Sequence, residues 1–365
     1  MSFEHADTLG PEKVVEIYDP RAGLKAIVVV DNTAAGPAIG GTRMAVDVTA
    51  DECFRLARAM TFKNAAAGLP HGGAKSVIVG DPAMARDAKE RLIRAFARAI
   101  GEIKDYIPGP DMGTDETAMA WVRDETGRAV GLPREVGGIP LDEIGATGWG
   151  LAAAGEAAEG FCDVKLAGAR VAVQGFGAVG QHGARFLAQK GAKLVAASDS
   201  KGTIADAGGL DIEALVELKR AGKSVVDFAR GQKGDRDAIV AADCDIWIPA
   251  ARPDVISMKN AGMLKARLIL QGANIAITRE AEQALHERGV LSVPDFIANA
   301  GGVICASAEY HGAGQASAFA AIREKILANT KDVLERAKRE RLTPRAAAEA
   351  MARERVERAM SFRRR

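Results

Sequence analysis

The segment VAVQGFGAVG, residues 171–180, limits what this chain can fold into more than any other stretch. Gly175, Gly177 and Gly180 form GxGxxG directly after an apolar strand pattern and directly before a helical one. In that setting the first glycine permits a tight turn, the second lets backbone approach a pyrophosphate, and the third allows close helix–strand packing. The anion sits on amides at the helix N-terminus, which also involves Ala178 and Val179. A second strand pattern, KLVAASD, ends on Asp199, where an acid holds ribose hydroxyls and repels a 2′-phosphate. The segment predicts a βαβ unit that binds NAD; the adjoining Ser200 and Lys201 leave NADP possible.

The surrounding rhythm agrees. A helix is expected near 147–160 and another over 179–190, with strands at 170–174, 193–198, 245–249, 267–271 and 290–293. Strands alternating with helices mean a parallel, doubly wound sheet. Upstream, LKAIVVV (24–30) reads as a buried strand and GPAIGGTR (36–43) as an extended piece broken by paired glycines. A helix over about 50–67 opens with the capping box Thr49-Ala50-Asp51-Glu52 and stops at Gly68. Helix and strand patterns alternate to about Arg134. From about Gly314 the chain reads as charged helix. The expected organisation is α/β with two domains: an N-terminal substrate and oligomerisation domain (1–134), a Rossmann domain (145–313), and C-terminal helices (314–365) packing back toward the first domain.

At 365 residues the chain is long for a single core. Its 49 basic and 48 acidic residues balance, which argues against nucleic acid or an anionic membrane as partner. The terminal Arg363-Arg364-Arg365 is read as a solvated helix end. No apolar run approaches the length of a membrane span, and no signal peptide opens the chain. Cys53, Cys162, Cys244 and Cys305 are scattered without ligand spacing, so reduced core thiols in the cytoplasm and no metal site are expected.

The stretch GLPHGGAKS (68–76) superficially resembles a phosphate-binding loop, but Ala74 separates Gly73 from Lys75, and the stretch runs from helix to strand rather than from strand to helix. Its lysine needs another task. Lys75 emerges from a Gly-Gly turn at the start of an apolar strand, while Lys63, following Leu56 and Met60 at helical spacing, falls on the apolar face of the preceding helix. A lysine there is costly unless paired, or unless it snorkels to solvent. Two lysines on consecutive elements can converge, and like charges close together favour one neutral amine that acts as a base beside one that keeps its charge for an anion. Asp111, in the loop GPDMGTDE, reads by itself as a turn former, and Asp115 as a helix cap.

These residues carry a resemblance. GGTRM (40–44), MTFKNAAAGLPHGGAK (60–75), GPDMGT (109–114), GATG (145–148), the GxGxxG turn, GAN (272–274) and NAGGV (299–303) occur in the order found in the glutamate/leucine/phenylalanine/valine dehydrogenases. The likeness runs over nearly the whole chain. It implies an NAD(P)-dependent, homo-oligomeric amino acid dehydrogenase with catalysis in the cleft between two domains. By the same resemblance Lys63, with backbone at Gly40 and Gly41, binds the substrate α-carboxylate. Lys75 activates the water that attacks the imino carbon, and Asp111 shuttles protons to and from the amino group. Thr147 and Asn274 steady the nicotinamide, and Asn299 lies beside the reacting centre.

Glutamate-specific relatives carry a lysine before the Gly-Gly pair and a serine three residues beyond AGGV; here those positions are Ile39 and Ala306. Burying a substrate carboxylate against them is unfavourable, whereas leucine, valine or phenylalanine gains by burial. Gly109 and Val303 are expected to line the same pocket, and Gly109 leaves room for a large side chain. SDSKGTI, GLDIEAL and GATGWG look closer to the glutamate branch. Arg252, expected in a surface salt bridge, would restore recognition of an acidic substrate if it reached the site. The reading is oxidative deamination of an apolar L-amino acid to the 2-oxo acid and ammonia, with glutamate as runner-up. A silent NAD(P)-binding regulator and a 2-hydroxy acid dehydrogenase are the rivals from other classes.

Overall fold

The computed structural model describes residues 2–363, so Arg364 and Arg365 lie outside the described residues. The chain divides into two compact units. The first comprises Met1–Leu141, Val303–Ala321 and Glu349–Arg365, and the second Asp142–Gly302 and Ile322–Ala348.

In the first unit, β1 (Lys13–Asp19), β2 (Leu24–Asn32), β3 (Ala38–Ala45), β4 (Gly73–Val79) and β5 (Tyr106–Pro110) form one sheet in the order β1-β2-β4-β3-β5. β1 and β4 run antiparallel to β2, whereas β3 runs parallel to both β4 and β5. Odd- and even-numbered side chains point to opposite faces of β2, β3, β4 and β5. On one face Val28, Val30, Ala74, Ile78 and Tyr106 pack with Leu92, Ile93 and Phe96 of α2 (Arg86–Ala99) and Met119 and Val122 of α3 (Glu116–Thr126). On the other, Val29 and Val77 pack with Cys53, Phe54 and Ala57 of α1 (Ala50–Ala66). Asp115 caps α3 as expected, accepting from the Ala118 amide at 2.8 Å.

In the second unit α4 (Ala146–Ala158) precedes β6 (Arg170–Gln174), α5 (Ala178–Ala188), β7 (Lys193–Ser198), β8 (Thr203–Ala205), α6 (Ile212–Arg220), β9 (Gln232–Gly234), β10 (Ile246–Pro249), β11 (Leu268–Leu270), α7 (Arg279–Glu287), β12 (Leu291–Val293) and the short α8 (Asp295–Ala298). The sheet order is β12-β11-β10-β6-β7-β8-β9. The strands from β12 to β7 are parallel, as the alternating pattern predicts. The edge beyond β7 is an antiparallel meander that the sequence reading does not contain, because β8 (TIA) has a single large apolar residue and β9 (QKG) is polar and exposed, whereas the equally short β11 and β12 lie in apolar runs. The order reverses at β6, with β7 on one side and β10 on the other, and that crevice is where doubly wound sheets bind ligands.

The chain continues as α9 (Gly301–Tyr310), α10 (Gln315–Glu340) and α11 (Pro344–Ser361). Here the expected domain spans need revision. Residues 303–313, assigned to the Rossmann domain, group with the first unit, and 322–348, assigned with the C-terminal helices toward the first domain, group with the second. The reason is side-chain pairing: Arg345 bonds Glu282 and Gln271, whereas Glu309 accepts from the amides of Leu132 and Ile139. Arg363 is likewise not simply solvated, since its guanidinium donates to the Thr33 hydroxyl at 2.9 Å and to the Thr33 carbonyl. Among the described residues no helix is long and apolar enough to cross a membrane, and no group of three or more His, Cys, Asp or Glu could hold a metal ion. All four cysteines are free; burial pushes the Cys53, Cys244 and Cys305 thiols up to about 12, which leaves them unreactive near neutral pH.

Candidate active site

The odd-numbered face of the first sheet is built in rungs. Parallel register sets Ile39 against Gly73 and Ile107, Gly41 against Gly109, and Thr42 against Ser76 and Pro110. The same register puts Lys75 level with Gly41 and Gly109, one rung from Ile39 and Ile107 and one rung from Arg43 and Val77. Three glycine or lysine positions in a row leave a shallow lane in which only Lys75 has a side chain. That side chain is 7% exposed, and its ammonium is paired with Asp111 Oδ2.

Asp111 follows β5 in a loop fixed by Thr114, whose hydroxyl accepts from the Asp111 amide at 3.0 Å and donates to the Thr42 carbonyl at 2.7 Å. Asp111 therefore does more than form a turn. Arg43 Nε also reaches Asp111 Oδ2, at 3.3 Å, and the Arg43 guanidinium pairs with Glu52 on α1. Burial pushes the Asp111 carboxyl up, but Lys75 and then Arg43 outweigh it and hold the group below the ordinary carboxylate range. Glu52 explains a departure from the expected capping box. Thr49 does accept from the Glu52 amide at 3.2 Å, but the Glu52 carboxylate is committed to Arg43.

Gly41 is what lets the pair approach. A Cβ added there would lie 2.9 Å from Asp111 Cβ and 3.0 Å from Lys75 Nζ. Lys63 is placed differently from the expectation. The buried face of α1 is Cys53, Ala57, Thr61 and Asn64, and Lys63 shares a half-buried stripe with Leu56 and Met60 beside it.

Ile39, Ile107, Val130 and Ala306 form one buried apolar cluster. Ile39 and Ala306, far apart in sequence, are thus packed together against hydrocarbon. Gly109 adjoins the cluster, since a Cβ there would sit 3.2 Å from Val130 Cγ2. Val303 is half-buried at the start of α9. Glu309, one turn beyond Ala306, ties this wall together by accepting from the Leu132 amide at 3.3 Å and the Ile139 amide at 2.7 Å.

In the second unit the glycine turn has the geometry a pyrophosphate requires. Gly175 has φ 89°, with Ala250 and Ala251 where its side chain would be; a Cβ on Gly180 would meet the Gly175 carbonyl at 2.2 Å; and a Cβ on Gly177 would meet nothing within 4 Å. Gly177 and Ala178 are exposed and Val179 half-buried, and no side chain caps α5 at Gly177, so its first amides face outward.

Asn299 Nδ2 donates to Asn274 Oδ1 at 2.8 Å and to the Gly272 carbonyl at 3.2 Å, while its own Oδ1 is buried without a partner. A Cβ on Gly301 would lie 3.1 Å from Thr147 Cα, so Thr147 belongs to the same neighbourhood. Asn299, Asn274 and Thr147 thus share one neighbourhood within the second unit. Asp199 closes β7, with Ser200 exposed beside it. Arg252 is exposed in the loop after β10 and makes no ion pair among the described residues, so the expected surface salt bridge is absent.

Sequence reasoning missed Arg43 as a partner of Asp111. Alternation along β3 is the signal that would have found it, because Ile39, Gly41 and Arg43 share one face.

Two family models match almost end to end: the Glu/Leu/Phe/Val dehydrogenase dimerisation domain over residues 11–128 and glutamate/leucine/phenylalanine/valine dehydrogenase over 137–364. The chain belongs to the glutamate/leucine/phenylalanine/valine dehydrogenase family, and is an NAD(P)-dependent amino acid dehydrogenase. It is 39% identical to a glutamate dehydrogenase of Aeropyrum pernix, over 91% of this chain and 85% of that one. It is 36% identical to the leucine dehydrogenase of Geobacillus stearothermophilus, over 97% and 93%. Among solved structures it is similar to a hetero-hexameric glutamate dehydrogenase from Thermus thermophilus in a leucine-bound form, with a TM-score of 0.87, 29% identity, and 97% and 90% of the two chains covered.

Proposed function

We propose that this chain catalyses the reversible oxidative deamination of an L-amino acid with an apolar side chain (leucine, valine or phenylalanine) to the 2-oxo acid and ammonia, in the cytoplasm and as a homo-oligomer. The observation that carries the substrate assignment is the cluster of Ile39, Ile107, Val130 and Ala306. A substrate carboxylate buried there without a partner loses several kcal/mol; each buried methylene of an apolar side chain gains roughly 0.8 kcal/mol.

In this reading Lys63, with the backbone of Gly40 and Gly41, holds the α-carboxylate, and Gly109 and Val303 complete the side-chain pocket with Ile39 and Ala306. Gly175, Gly177, Ala178, Val179 and Gly180 would hold the dinucleotide, which would supply the acceptor for the hydride leaving Cα. Asp111 takes a proton from the substrate ammonium as the hydride leaves. Lys75, having shed its proton, accepts one from the water that adds to the imino carbon. Asp111 then returns its proton to nitrogen, takes the proton of the new hydroxyl as the C–N bond breaks, and hands it to the departing ammonia, which leaves as ammonium with Asp111 again an anion. The proton on Lys75 passes to solvent as the one released overall. Arg43 steadies Asp111 as an anion between these transfers. Thr147 and Asn274 orient the nicotinamide, and the unpartnered Oδ1 of Asn299 offers an acceptor beside it.

Glutamate stands as the second reading because of the Aeropyrum pernix relative. The test follows NAD(P)H absorbance with leucine, valine, phenylalanine and glutamate under both cofactors. The expected result is a kcat/KM for the best apolar substrate at least about tenfold above that for glutamate, the difference of about 1.4 kcal/mol that roughly two methylenes supply. Preference for glutamate would overturn the pocket assignment.

A further inference from the structure

Asp199 stands where an acid ordinarily grips ribose hydroxyls, but its carboxylate is already engaged. Oδ1 accepts from the Lys201 amide at 2.9 Å and the Ser224 hydroxyl at 2.8 Å, and Oδ2 from the Lys219 ammonium at 2.7 Å and the Val225 amide at 3.0 Å. An ionised carboxylate offers about four lone-pair sites, and all are occupied by the chain itself. The side chain is 9% exposed. Burial pushes its carboxyl up, but Lys219, the Lys201 and Val225 amides and Ser224 together bring it down to about 2, so it is an anion throughout the neutral range.

Two consequences separate this acid from the one expected from sequence. A ribose diol finds no vacant acceptor on Asp199 without displacing a donor of the protein. A 2′-phosphate, in turn, meets a charge already cancelled by Lys219 across a 2.7 Å ion pair, with the exposed Ser200 and Lys201 next in sequence. The sum of Asp199, Lys219 and Lys201 is one positive charge, so the electrostatic reason to reject a 2′-phosphate is gone.

We propose that Lys219 cancels the discrimination Asp199 would otherwise impose, so that this chain binds NADP(H) at least as tightly as NAD(H), with Lys201 as the cation nearest the 2′-phosphate. The expectation from sequence that Asp199 favours NAD is thereby reversed. The inference rests on the dinucleotide site of the second unit but not on the choice of amino acid.

The experiment is calorimetric titration of the full chain with NADH and NADPH in the absence of amino acid. The wild type should give a Kd for NADPH equal to or below that for NADH. Lys219→Met should raise the NADPH Kd about tenfold, equivalent to about 1.4 kcal/mol, and leave NADH within about twofold. Because Lys219→Met also removes a loop contact, Lys201→Ser serves as the independent variant; it should weaken NADPH alone, and the loss should shrink with added salt. The proposal is overturned if the wild type binds NADH more tightly than NADPH, or if folded Lys219→Met or Lys201→Ser leaves the ratio unchanged. Binding of neither dinucleotide would overturn the cofactor site itself, a failure distinct from rejection of one substrate in the activity assay.

Discussion

Gly41 carries no functional group, yet the charged pair depends on it. In Gly41→Ala the new methyl would lie 2.9 Å from Asp111 Cβ and 3.0 Å from Lys75 Nζ, so one of the two must retreat. The expected outcome is a fall in kcat of about tenfold or more with the melting temperature little changed. Lys75→Ala should lower kcat by about 10² to 10⁴, the usual contribution of a positioned proton acceptor. The residues proposed to hold the dinucleotide belong to the other unit, so its Kd should stay within about twofold. Steady-state kinetics beside calorimetry decide this, and full turnover by Lys75→Ala would remove the lysine from the mechanism. At this scale the sequence was legible wherever a residue type has few alternative uses, as with the GxGxxG glycines. Asp111 was not legible from its own surroundings, since a lone aspartate between Pro110 and Gly113 reads as a turn; its partnership with Lys75 exists only once β4 and β5 are laid on either side of β3. Asp199 was legible by position only. Its position matched a known use, while its donors at Lys219, Ser224 and Val225 come from a later segment that no local pattern connects to it.

Among the elements, α11 is tied to its neighbours by buried charge. Arg345, near its start and 12% exposed, pairs with Glu282 of α7 and, at 3.0 Å, with Asp295 at the head of α8. Asp295 also accepts from the Ile275 amide at 2.7 Å, which anchors the loop bearing Asn274. Arg345→Met keeps most of the side-chain volume but leaves two buried carboxylates without their cation, so a loss of about 3–5 kcal/mol is expected. Denaturant unfolding monitored by circular dichroism checks it; a change below about 1 kcal/mol would mean that the pair is only as strong as an exposed one. Helix and strand placement was readable where periodicity ran for several turns or rungs, as in α1, α5, β2 and β6. It failed at β8 and β9, which lack the apolar runs of the equally short β11 and β12, and at the helix boundaries that assign α9, α10 and α11 between units, because pairing to distant partners such as Glu282 decides those.

On the scale of the whole molecule, β1 closes the first sheet at one edge and leaves Tyr18 68% exposed on it. An edge strand with unpaired backbone and an exposed aromatic side chain is a natural site for pairing with a second copy. Light scattering of the purified chain should give a mass of at least a dimer, and Tyr18→Asp should lower it; a monomer at micromolar concentration would refute self-association.

The interleaving of the two units has a consequence for how the chain is made. The last turn of α1 has its Ala66 carbonyl bonded by Arg355 at 2.7 Å, and Met351, Ala352 and Val356 are buried. During translation, segments leave the ribosome in order, N-terminal first. The strands bearing Lys75 and Asp111 therefore emerge long before the helix that covers the end of α1, and the glycine turn emerges before Arg345. Because each unit includes residues beyond 321, neither is complete on the nascent polypeptide until almost all of it has been synthesised.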